Sequence, residues 1–485
     1  MTCGARKATI MTDVRNMLPA ADAALLDRLV RTLPPGTVLT GDAISPRYQE
    51  DRRDRYSAKP LFVLRPSSTV EMAAALAACH AYRQPVVVQG GRTGLSGAHR
   101  VLEGEAVLSL ERFTALGQID PDSATIEAQA GVPLQLVQEA ASRAGLMFGV
   151  DIGSRGSATI GGNIATNAGG IRVMRYGMFR AQVAGLEAVL ADGTVLTSMK
   201  HVEKDNTGPD LAQLFVGSEG VLGVVTRARL RLHPQPVVEA NAFLALPSAE
   251  AALDLLRRLR KAMGGMLSAF EIMLPEAYHG VCGHLQITPP LCTKAQVYVL
   301  AEIQAGPLAL TAQDVFETAL MTAIEENCVL DAVVSQSRRE FQALWDMRDG
   351  CADFVRTLPN VANGDISVPV GRVPSFLRES QAALLAIDPG TVFLGFGHLG
   401  DGNLHYVFQT TRKEPATEQL LALVAAYGGS VSAEHGIGMD KKPWLHLSRS
   451  PAEIATMRAL KTALDPRLIL NRRRVFDLPE GLQGQ

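Results

Sequence analysis

The stretch Asp151–Gly170, DIGSRGSATIGGNIATNAGG, decides the fold of this chain. It contains six glycines and three alanines, and no charged residue follows Arg155. Neither an amphipathic helix nor an alternating strand has this composition. Because glycine has no Cβ and tolerates positive φ, the run predicts a backbone that approaches a ligand closely, with small hydroxyl and amide side chains to bind it. A flexible Gly/Ser linker is the alternative, but it would not contain Ile160 and Ile164.

A second glycine-rich loop lies upstream, in PVVVQGGRTGLSGAH (Pro85–His99), where an apolar strand runs into a glycine turn. A strand at Leu61–Pro66 and a helix that begins with a capping box, Ser68 to Glu71, precede it. Free N–H groups after the second strand of such a unit predict an anion cradle. GGRTGLSG lacks the G-x-G-x-x-G spacing and follows the second strand rather than the first, so a Rossmann site is the weaker interpretation.

Four motifs in a fixed order give the chain a specific resemblance to a known family. They are GGRTGLSG, the glycine run, RYGMFR (Arg175–Arg180) and DNTGPDLAQLFVGSEGVLGVVT (Asp205–Thr226). Together they resemble the PCMH-type FAD-binding domain of vanillyl-alcohol-oxidase-type flavoproteins, in the branch with D-lactate dehydrogenase, D-2-hydroxyglutarate dehydrogenase and the flavin subunit of glycolate oxidase. The resemblance extends over residues 45–475 and implies an α+β fold, with a two-subdomain FAD-binding domain and an α+β substrate (cap) domain built on an antiparallel sheet.

The predicted organisation has three parts: an N-terminal segment at residues 1–58, the FAD-binding domain at 59–235, and the FAD-linked oxidase C-terminal substrate domain at 236–475. The prolines of HPQPVV (His233–Val238) mark the second boundary. Beyond it, helical patterns alternate with short strands, which is typical of an α+β domain. A final helix at Pro451–Leu464 is expected to return to the flavin domain.

The resemblance places the flavin-binding groups in the glycine-rich motifs, the Asp205–Thr226 motif and the C-terminal region. The expected residues are Gly90, Gly91, Arg92, Thr93, Gly94, Leu95, Gly153, Ser154, Ser157, Gly161, Gly162, Asn163, Thr166, Asn167, Gly169, Gly170, Glu219, Gly220, Val224 and Asn471. His99 is a candidate for covalent attachment, but we expect non-covalent FAD. Where relatives carry Asn-Pro-Gly-Lys, this chain has NRRR (Asn471–Arg474), which leaves the local geometry open.

A pair of histidines flanks a hairpin signal in FGHLGDGNLHYVF (Phe396–Phe408). A two-residue turn at Asp401–Gly402 would place His398 directly opposite His405. Directly opposed side chains on one sheet face have Cβ atoms about 4.5–5.5 Å apart, so the two imidazoles can hold one divalent metal. A histidine pair within a hydrogen-bond network is the alternative, of equal weight on spacing alone.

Glu434, in SAEHGIG (Ser432–Gly438), is the natural third ligand of an open catalytic site. The resemblance favours a metal, expected to be zinc, on His398, His405 and Glu434. It also assigns His435 as the base, and an imidazole with an ordinary pKa near 6.5 suits removal of a hydroxyl proton. Glu434 and His435 would point to opposite faces of a regular strand, so both reach the site only if Gly436 or Gly438 bends the chain.

Arg348 is expected to bind the substrate carboxylate in the catalytic site. It lies in LWDMRDG, on a helix predicted at 337–356. An arginine fork binds a carboxylate through two N–H groups, which suits a 2-hydroxy acid. A surface ion pair with Asp346 or Asp349 is the alternative. The resemblance favours carboxylate binding through its W-x-x-R motif.

Three sites depart from the hydroxyglutarate-type pattern. The dipeptide Asn363–Gly364 stands where those relatives carry Lys-Tyr, Ala352 replaces a threonine, and Val407 replaces an asparagine. The loss of a cation and two polar groups weakens the case for a second substrate carboxylate. A monocarboxylate with a larger or more apolar side chain is therefore a candidate substrate.

These features predict an FAD-dependent D-2-hydroxyacid dehydrogenase, an oxidoreductase that uses a metal and passes hydride from its substrate to flavin N5. Its electrons would go to an external acceptor: a quinone, an electron-transfer flavoprotein, a cytochrome or a partner subunit. Three alternatives stay open. They are a D-lactate or glycolate oxidase-type subunit that works only in a complex, a non-redox flavoenzyme of the same fold, and a metal-dependent hydrolase that leaves the glycine loops unexplained.

Bulk properties limit the partners. Lys and Arg number 47 against 49 Asp and Glu, so nothing indicates a nucleic acid or a strongly anionic membrane. The six cysteines lack C-x-x-C spacing, which argues against cluster, zinc-knuckle and disulfide frameworks. No apolar run reaches the roughly 20 residues of a transmembrane helix, and Met1–Thr12 lacks the apolar core of a secretory signal. We expect a cytoplasmic flavoprotein; the resemblance adds homodimerisation, and peripheral membrane association is a further expectation.

Overall fold

The computed structural model of the chain describes residues 20–51, 55–202 and 204–478. The stretch Met1–Thr12, on which the expectation about a secretory signal rests, lies outside the described residues. Within these ranges, no helix is both long and apolar enough to cross a membrane.

Two sheets form the first half of the chain. The elements of the first are α1 (Ala20–Thr32), β1 (Val38–Leu39), β2 (Val63–Leu64), α2 (Thr69–Ala81), β3 (Val86–Gln89) and β4 (Ala106–Ser109). The strand order is β1-β2-β4-β3, with β2 and β3 both parallel to β4. Helix α2 connects β2 to β3 and packs with α1 around a core of leucines and alanines. The predicted order of strand, helix, strand and glycine loop is therefore present.

The second sheet is antiparallel and carries the glycine run at its side. Its strands are β5 (Leu116–Asp120), β6 (Thr125–Gln129), β8 (Val183–Val189), β9 (Val195–Ser198) and β10 (Val224–Arg231), in the order β5-β6-β10-β8-β9. Helices α3 (Leu134–Arg143), α4 (Ile160–Thr166), α5 (Val173–Tyr176) and α6 (Phe179–Gln182) lie between them in sequence, and β7 (Leu146–Met147) pairs with β11 (His233–Pro234). The glycine run thus contains one helix, α4, although its composition is not that of an amphipathic helix. That helix is only seven residues long.

One large antiparallel sheet forms the second half. Its strands are β12 (Val238–Leu246), β13 (Leu267–Met273), β14 (Val297–Ala305), β15 (Asp331–Val334), β16 (Val361–Ser367), β17 (Val392–Phe393), β18 (Phe396–His398) and β19 (Asn403–Gln409). The order is β15-β12-β14-β13-β18-β19-β16, and β17 pairs with β19.

Helices cover both faces of this large sheet. One face packs against α7 (Ala249–Met263), α9 (Ala312–Glu325), α11 (Val373–Ile387) and α12 (Lys413–Ala426). The other face packs against α8 (Pro275–Leu285) and α10 (Arg338–Arg356). These two helices cover only part of the second face. The uncovered part of this face is available for a site between the sheet and the first half of the chain.

The last helix, α13 (Pro451–Leu464), leads the chain back to the first half, as predicted. Lys461 on this helix donates to the carbonyl of Val221 at 2.8 Å, and Leu470 forms a bridge with Val86 at the edge of the first sheet. The C-terminal segment therefore packs against the first half of the chain.

Serine residues begin several helices by accepting a hydrogen bond from a backbone N–H three residues on. Ser68 does so at the start of α2, from Glu71 N at 3.2 Å. The reciprocal half of the predicted capping box is wrong, because the Glu71 carboxylate accepts from the N–H of Ser67 at 2.8 Å rather than from the cap itself. A full box occurs instead at Ser450 and Glu453, before α13.

Candidate active site

The two glycine-rich motifs meet in space. A Cβ on Gly91 would lie 2.0 Å from the carbonyl oxygen of Ser157, and one on Gly90 would lie 2.6 Å from Oγ1 of Thr159. Side chains larger than hydrogen would push these backbones apart. The loop after β3 and the segment before α4 therefore form one continuous cradle, which neither motif could form alone.

Two buried polar atoms in this cradle have no hydrogen-bond partner among the described residues: Oγ1 of Thr159 and Nδ2 of Asn163. Thr159 and Asn163 are 8% and 4% exposed, so water does not readily satisfy them. Unpaired buried polar groups are costly, and both lie where the two glycine-rich backbones approach each other closely. This donor and acceptor set fits a polar, elongated cofactor such as FAD.

Several predicted flavin residues also bind other parts of the protein. Asn471 accepts from the N–H of Val88 at 2.8 Å and donates to the carbonyl of Glu219 at 2.6 Å. The Glu219 carboxylate accepts from the N–H groups of Ile437 and Gly438, and burial raises the pKa of Glu219 to about 7. These contacts tie the C-terminal segment and the loop that follows Glu434 to the cradle.

The structure places the remaining predicted flavin residues as follows. Gly161 packs on Ala130, and Gly220 lies against Asn471. Asn167 caps α4 in a left-handed conformation. Val224, the first residue of β10, is buried in the hydrophobic core that packs against the first sheet. Thr166 bonds the carbonyl of Gly162 within α4. The half-buried positions are Gly90, Gly91, Arg92, Thr93, Gly94, Leu95, Ser154 and Gly162, and the exposed ones are Gly153 and Ser157.

The end of the glycine run contacts the predicted metal site. The N–H of Gly170 donates to Oε1 of Glu434 at 2.9 Å. A Cβ on Gly169 would lie only 2.6 Å from the same oxygen. The flavin cradle and the carboxylate of the predicted metal ligand are thus in direct contact, which brings the two expected sites together.

The hairpin at Asp401–Gly402 forms with a register other than the predicted one. Phe396 pairs with His405 and His398 pairs with Asn403. The turn is longer than two residues, because both of its N–H groups bond the carbonyl of His398. The prediction that His398 lies directly opposite His405 is therefore wrong. A shift by two residues keeps the alternation of side chains, so both imidazoles still share one face, with ring centroids 5.2 Å apart.

His398, His405 and Glu434 each bring a ligand atom within 4.8 Å of the others. Two imidazoles and a carboxylate are a ligand set of catalytic zinc sites, which leave a position open for water or substrate. Burial opposes the charge of His398, but the carboxylate of Glu271 raises its pKa to about 9. Burial and the neighbouring His398 lower the pKa of His405 well below its ordinary value. The residues present fit a divalent metal.

Glu434 and His435 lie in a loop rather than in a strand, and both reach the site. Gly436 and Gly438 have φ values of 72° and 52°, which supply the bend that the sequence required. Asp365 on β16 holds this loop: its Oδ2 accepts from the N–H groups of Glu434 and His435 at 3.2 and 3.1 Å. The same oxygen lies 3.2 Å from Nδ1 of His435, so the other ring nitrogen of His435 is left for chemistry.

Lys441 is a further partner of Asp365, with Nζ donating to Oδ2 at 3.2 Å. Burial opposes the charge of Asp365, but His435 and Lys441 hold its pKa well below the ordinary range. Asp365 is therefore a fixed negative charge behind the predicted base.

Arg348 is 5% exposed, and its partner is neither Asp346 nor Asp349 but Glu271 on β13. Nε of Arg348 donates to Oε2 of Glu271 at 2.8 Å, and the guanidinium lies over the ring of Phe396. Nη2 lies 2.7 Å from the same oxygen but makes no well-directed hydrogen bond to any described residue. The surface-ion-pair alternative is thus excluded, and Arg348 retains N–H groups for a ligand.

The three sites that depart from the hydroxyglutarate-type pattern take different places. Val407 is buried beside Phe396 on the face that carries the histidines. Asn363 is exposed and lies directly across from Val407 on the edge strand β16. Ala352 is exposed on α10. None of the three introduces a charge near Arg348.

Glu271 is one residue that the sequence interpretation missed. It stands in LSAFEIM, a buried strand whose other polar residue is Ser268, and an acid in a run of that kind is a signal of a buried charge with a partner. Asp365 is a second residue that was not predicted, and its contact with His435 follows from tertiary structure.

Comparisons with known proteins agree with this geometry. A family model described as "FAD linked oxidases, C-terminal domain" matches residues 235–475, and one described as "FAD binding domain" matches residues 60–198. The chain is 36% identical over 471 residues to the D-2-hydroxyglutarate dehydrogenase of Stutzerimonas stutzeri strain A1501, an alignment that covers 94% of this chain and 99% of that one. It is 37% identical over 459 residues to the mitochondrial D-2-hydroxyglutarate dehydrogenase of Bos taurus, covering 93% and 82%.

A solved structure of p-cresol methylhydroxylase superposes with a TM-score of 0.74 at 15% identity, covering 95% of this chain and 98% of that one. At that identity the likeness concerns the fold alone. It confirms the predicted fold class, an α+β protein with a PCMH-type FAD-binding domain and a substrate domain on an antiparallel sheet.

Proposed function

This chain belongs to the family of FAD-linked oxidases that includes the D-2-hydroxyglutarate dehydrogenases, and on that premise we propose that it oxidises a D-2-hydroxy acid to the 2-oxo acid with FAD and a divalent metal. The observation that carries this proposal is the meeting of His398, His405 and Glu434 next to Arg348 and at the end of the glycine run. A flavin bound in the cradle would therefore lie next to the substrate and the metal, at the contact between Gly170 and Glu434.

The residues matched by the two family models, 60–198 and 235–475, support the domain assignment of this proposal. Residues 59–235 would bind FAD without a covalent bond, residues 236–475 would bind substrate and metal, and residues 1–58 would precede them as an N-terminal segment. His99 is buried beside Asp51 and Arg100, and burial lowers its pKa. It serves in this proposal as a packing residue rather than as an attachment point.

When bound, FAD supplies a hydride acceptor at N5 and zinc supplies a Lewis acid that lowers the pKa of the substrate hydroxyl. The residues of the chain do the rest. Arg348 donates to the substrate carboxylate through its free N–H groups, which fixes the α-carbon. His435 takes the hydroxyl proton at Nε2, because its Nδ1 faces Asp365. Asp365 then stabilises the imidazolium that forms.

The substrate class is a D-2-hydroxy monocarboxylate in this proposal. Glu271 accepts a hydrogen bond from Nε of Arg348, so the guanidinium has N–H groups left for one substrate carboxylate. Two further cations already pair with acids: Lys441 with Asp365, and Arg172 with Glu302. A second substrate carboxylate would have to compete with these acids for either cation, and a buried carboxylate without a partner is costly. The curated relatives favour D-2-hydroxyglutarate as the second candidate, so both must be assayed.

The electrons would leave the flavin to an external acceptor, a quinone, an electron-transfer flavoprotein, a cytochrome or a partner subunit. A homodimer is the proposed state of the chain, on the family resemblance alone. Activity of the isolated chain with an artificial dye acceptor would contradict the alternative of a subunit that works only within a complex.

The experiment is a visible spectrum of the purified protein during anaerobic addition of D-lactate, longer D-2-hydroxy monocarboxylates and D-2-hydroxyglutarate. We expect flavin absorbance that bleaches with a monocarboxylate, and slower bleaching after dialysis against a chelator. Flavin that no hydroxy acid bleaches would contradict the proposal and favour a non-redox flavoenzyme. Bleaching by D-2-hydroxyglutarate alone would overturn the substrate class.

A further inference from the structure

Strand β13 carries one acid on the face that bears the histidines. Glu271 is fully buried, and it lies directly across from His398 in the pairing of β13 with β18. A carboxylate removed from water in this way is stable only when its oxygens are paired. Each of its two oxygens has a specific partner, and both partners belong to the proposed site.

The first oxygen fixes the tautomer of His398. Oε1 of Glu271 lies 2.8 Å from Nδ1 of His398. An ionised carboxylate can only accept, so Nδ1 is the donor, and in the neutral ring that binds a metal the lone pair is on Nε2. Nε2 lies 3.8 Å from Oε1 of Glu434, on the side where the three ligands converge. A carboxylate behind a histidine in this way orients the ring and makes it a better ligand.

The second oxygen fixes the guanidinium of Arg348. Oε2 accepts from Nε at 2.8 Å and lies 2.7 Å from Nη2. The fork is held from behind, over the ring of Phe396, so its free N–H groups have a set direction. Without Glu271, a long flexible side chain at this position would have to be ordered by the substrate itself, at a cost in side-chain entropy.

We propose that Glu271 is a positioning residue that orients His398 toward the metal and Arg348 toward the substrate carboxylate at the same time. It touches neither the metal nor the reacting atoms, and it acts through the two side chains that do. This inference rests on the proposed function, since it concerns the metal and carboxylate sites of the same reaction.

Glu302 offers a matched control on the same sheet. It is equally buried on the neighbouring strand β14, accepts from the arginine Arg172 at 2.8 and 2.9 Å, and accepts from Trp345 on the helix that carries Arg348. It contacts none of the three proposed metal ligands. Glu302→Gln and Glu271→Gln therefore remove the same charge from comparable surroundings, and only the second removes the partner of His398.

The test measures zinc affinity on the full-length, FAD-loaded chain by competition with a chromophoric chelator, after circular dichroism has shown that each variant is folded. We expect Glu271→Gln to weaken zinc binding by about 10- to 100-fold, the range seen when such an outer partner is lost. Glu302→Gln should stay within about twofold of the natural chain. Equal affinity in Glu271→Gln and the natural chain, or equal losses in both variants, would overturn the inference.

A second arm addresses Arg348. Oxalate, a probe with the carboxylate and adjacent oxygen of a hydroxy acid, is titrated by calorimetry at zinc concentrations that saturate each variant. We expect oxalate to bind Glu271→Gln at least about tenfold more weakly than it binds Glu302→Gln. Equal oxalate affinity would overturn the role toward Arg348. Failure of the natural chain to bind zinc at all would instead overturn the metal site of the proposed function, and the two failures are therefore distinguishable.

Discussion

Single glycines set the distance between the flavin cradle and the proposed metal ligands. Gly169 has an ordinary backbone conformation, yet a Cβ there would lie 2.6 Å from Oε1 of Glu434 and 3.3 Å from a methyl group of Val173. The carboxylate would have to leave its hydrogen bond with the N–H of Gly170. At this position the absence of a side chain, rather than backbone freedom, is what the site requires.

We predict that Gly169→Ala lowers zinc affinity by at least about tenfold with little loss of stability, because Glu434 is displaced while the backbone is not strained. The measurement is zinc content by mass spectrometry after dialysis at fixed free zinc. Gly283→Ala is the control, since a Cβ there meets no atom within 4 Å. Zinc content in Gly169→Ala that matches the control would show that Glu434 is not a ligand.

Glu219 makes stability depend on pH. Burial raises its pKa from an ordinary 4.5 to about 7, so the folded chain binds this proton more tightly than the unfolded chain does. Its contribution to stability is therefore fully present below about pH 4.5 and is lost as pH rises through about 7.

We expect the free energy of unfolding of the natural chain, relative to Glu219→Gln, to fall between about pH 5 and pH 8, by at most on the order of 3 kcal/mol. Urea denaturation of both proteins across that range measures the difference. A difference that stays constant with pH would show that Glu219 keeps one protonation state throughout.

At the scale of elements, helix α13 is held to the flavin-binding half by a buried cation. Lys461 is 2% exposed, and its Nζ donates to the carbonyls of Val221 and Leu470 and to the carboxylate of Asp465, at 2.8, 2.7 and 2.5 Å. Burial lowers its pKa. The amphiphilic pattern of α13 gives no hint of this contact, because a lysine in the last turn of a helix is ordinarily a surface residue.

We predict that Lys461→Met destabilises the chain by roughly 3–5 kcal/mol, since it leaves Asp465 buried without its cation. Lys413→Met, at an exposed position that begins α12, should change stability by no more than about 0.5 kcal/mol. Urea denaturation measures both. Similar small changes in the two variants would contradict the importance of the α13 contact.

At the scale of the whole molecule, a short segment provides one of the links between the two halves. Arg172, just before α5, binds Glu302 on β14 through two nitrogens, and Tyr176 at the end of α5 donates to the side chain of Gln304 at 2.9 Å. Arg175 also donates to the carbonyl of Gln304. This segment follows directly on the glycine run, so the glycine cradle and the large antiparallel sheet of the second half are linked by adjacent residues.

We expect calorimetry of the natural chain to show a single unfolding transition, and we expect FAD to raise the temperature of that whole transition. At a hundredfold excess of FAD over its Kd, the free energy of unfolding should increase by about 2.7 kcal/mol. Arg172→Met should split the transition, with FAD stabilising only the flavin-binding half, because Glu302 loses its partner across the interface. Arg378→Met, which removes an exposed pair with Glu250, is the control and should leave one transition. A single transition in Arg172→Met would show that other contacts couple the halves.

The order of strands, helices and glycine loops could be predicted because it depends on local properties. The bounds of α13 match the predicted Pro451–Leu464, and α10 falls within the predicted 337–356. Glycine spacing, serine caps and apolar periodicity act over a few residues, so the sequence contains them directly. The position of α4 within the glycine run was not predicted, and there Gly161 comes close to Ala130, a contact that is remote in sequence.

The placement of His398 and His405 on one face was also available from the sequence, since side chains on one sheet face keep a period of two even when the register shifts. Glu434 was added to the pair through the family resemblance. The register of β18 against β19 could not be predicted from the sequence. The hydrogen bonds from the turn to the carbonyl of His398 depend on how the whole hairpin packs. The sequence by itself thus determined the fold family and the chemical types at the site. Only the tertiary structure decided that Glu271 pairs with Arg348 and His398, because a buried carboxylate takes its partners from whatever strands and helices the fold brings beside it.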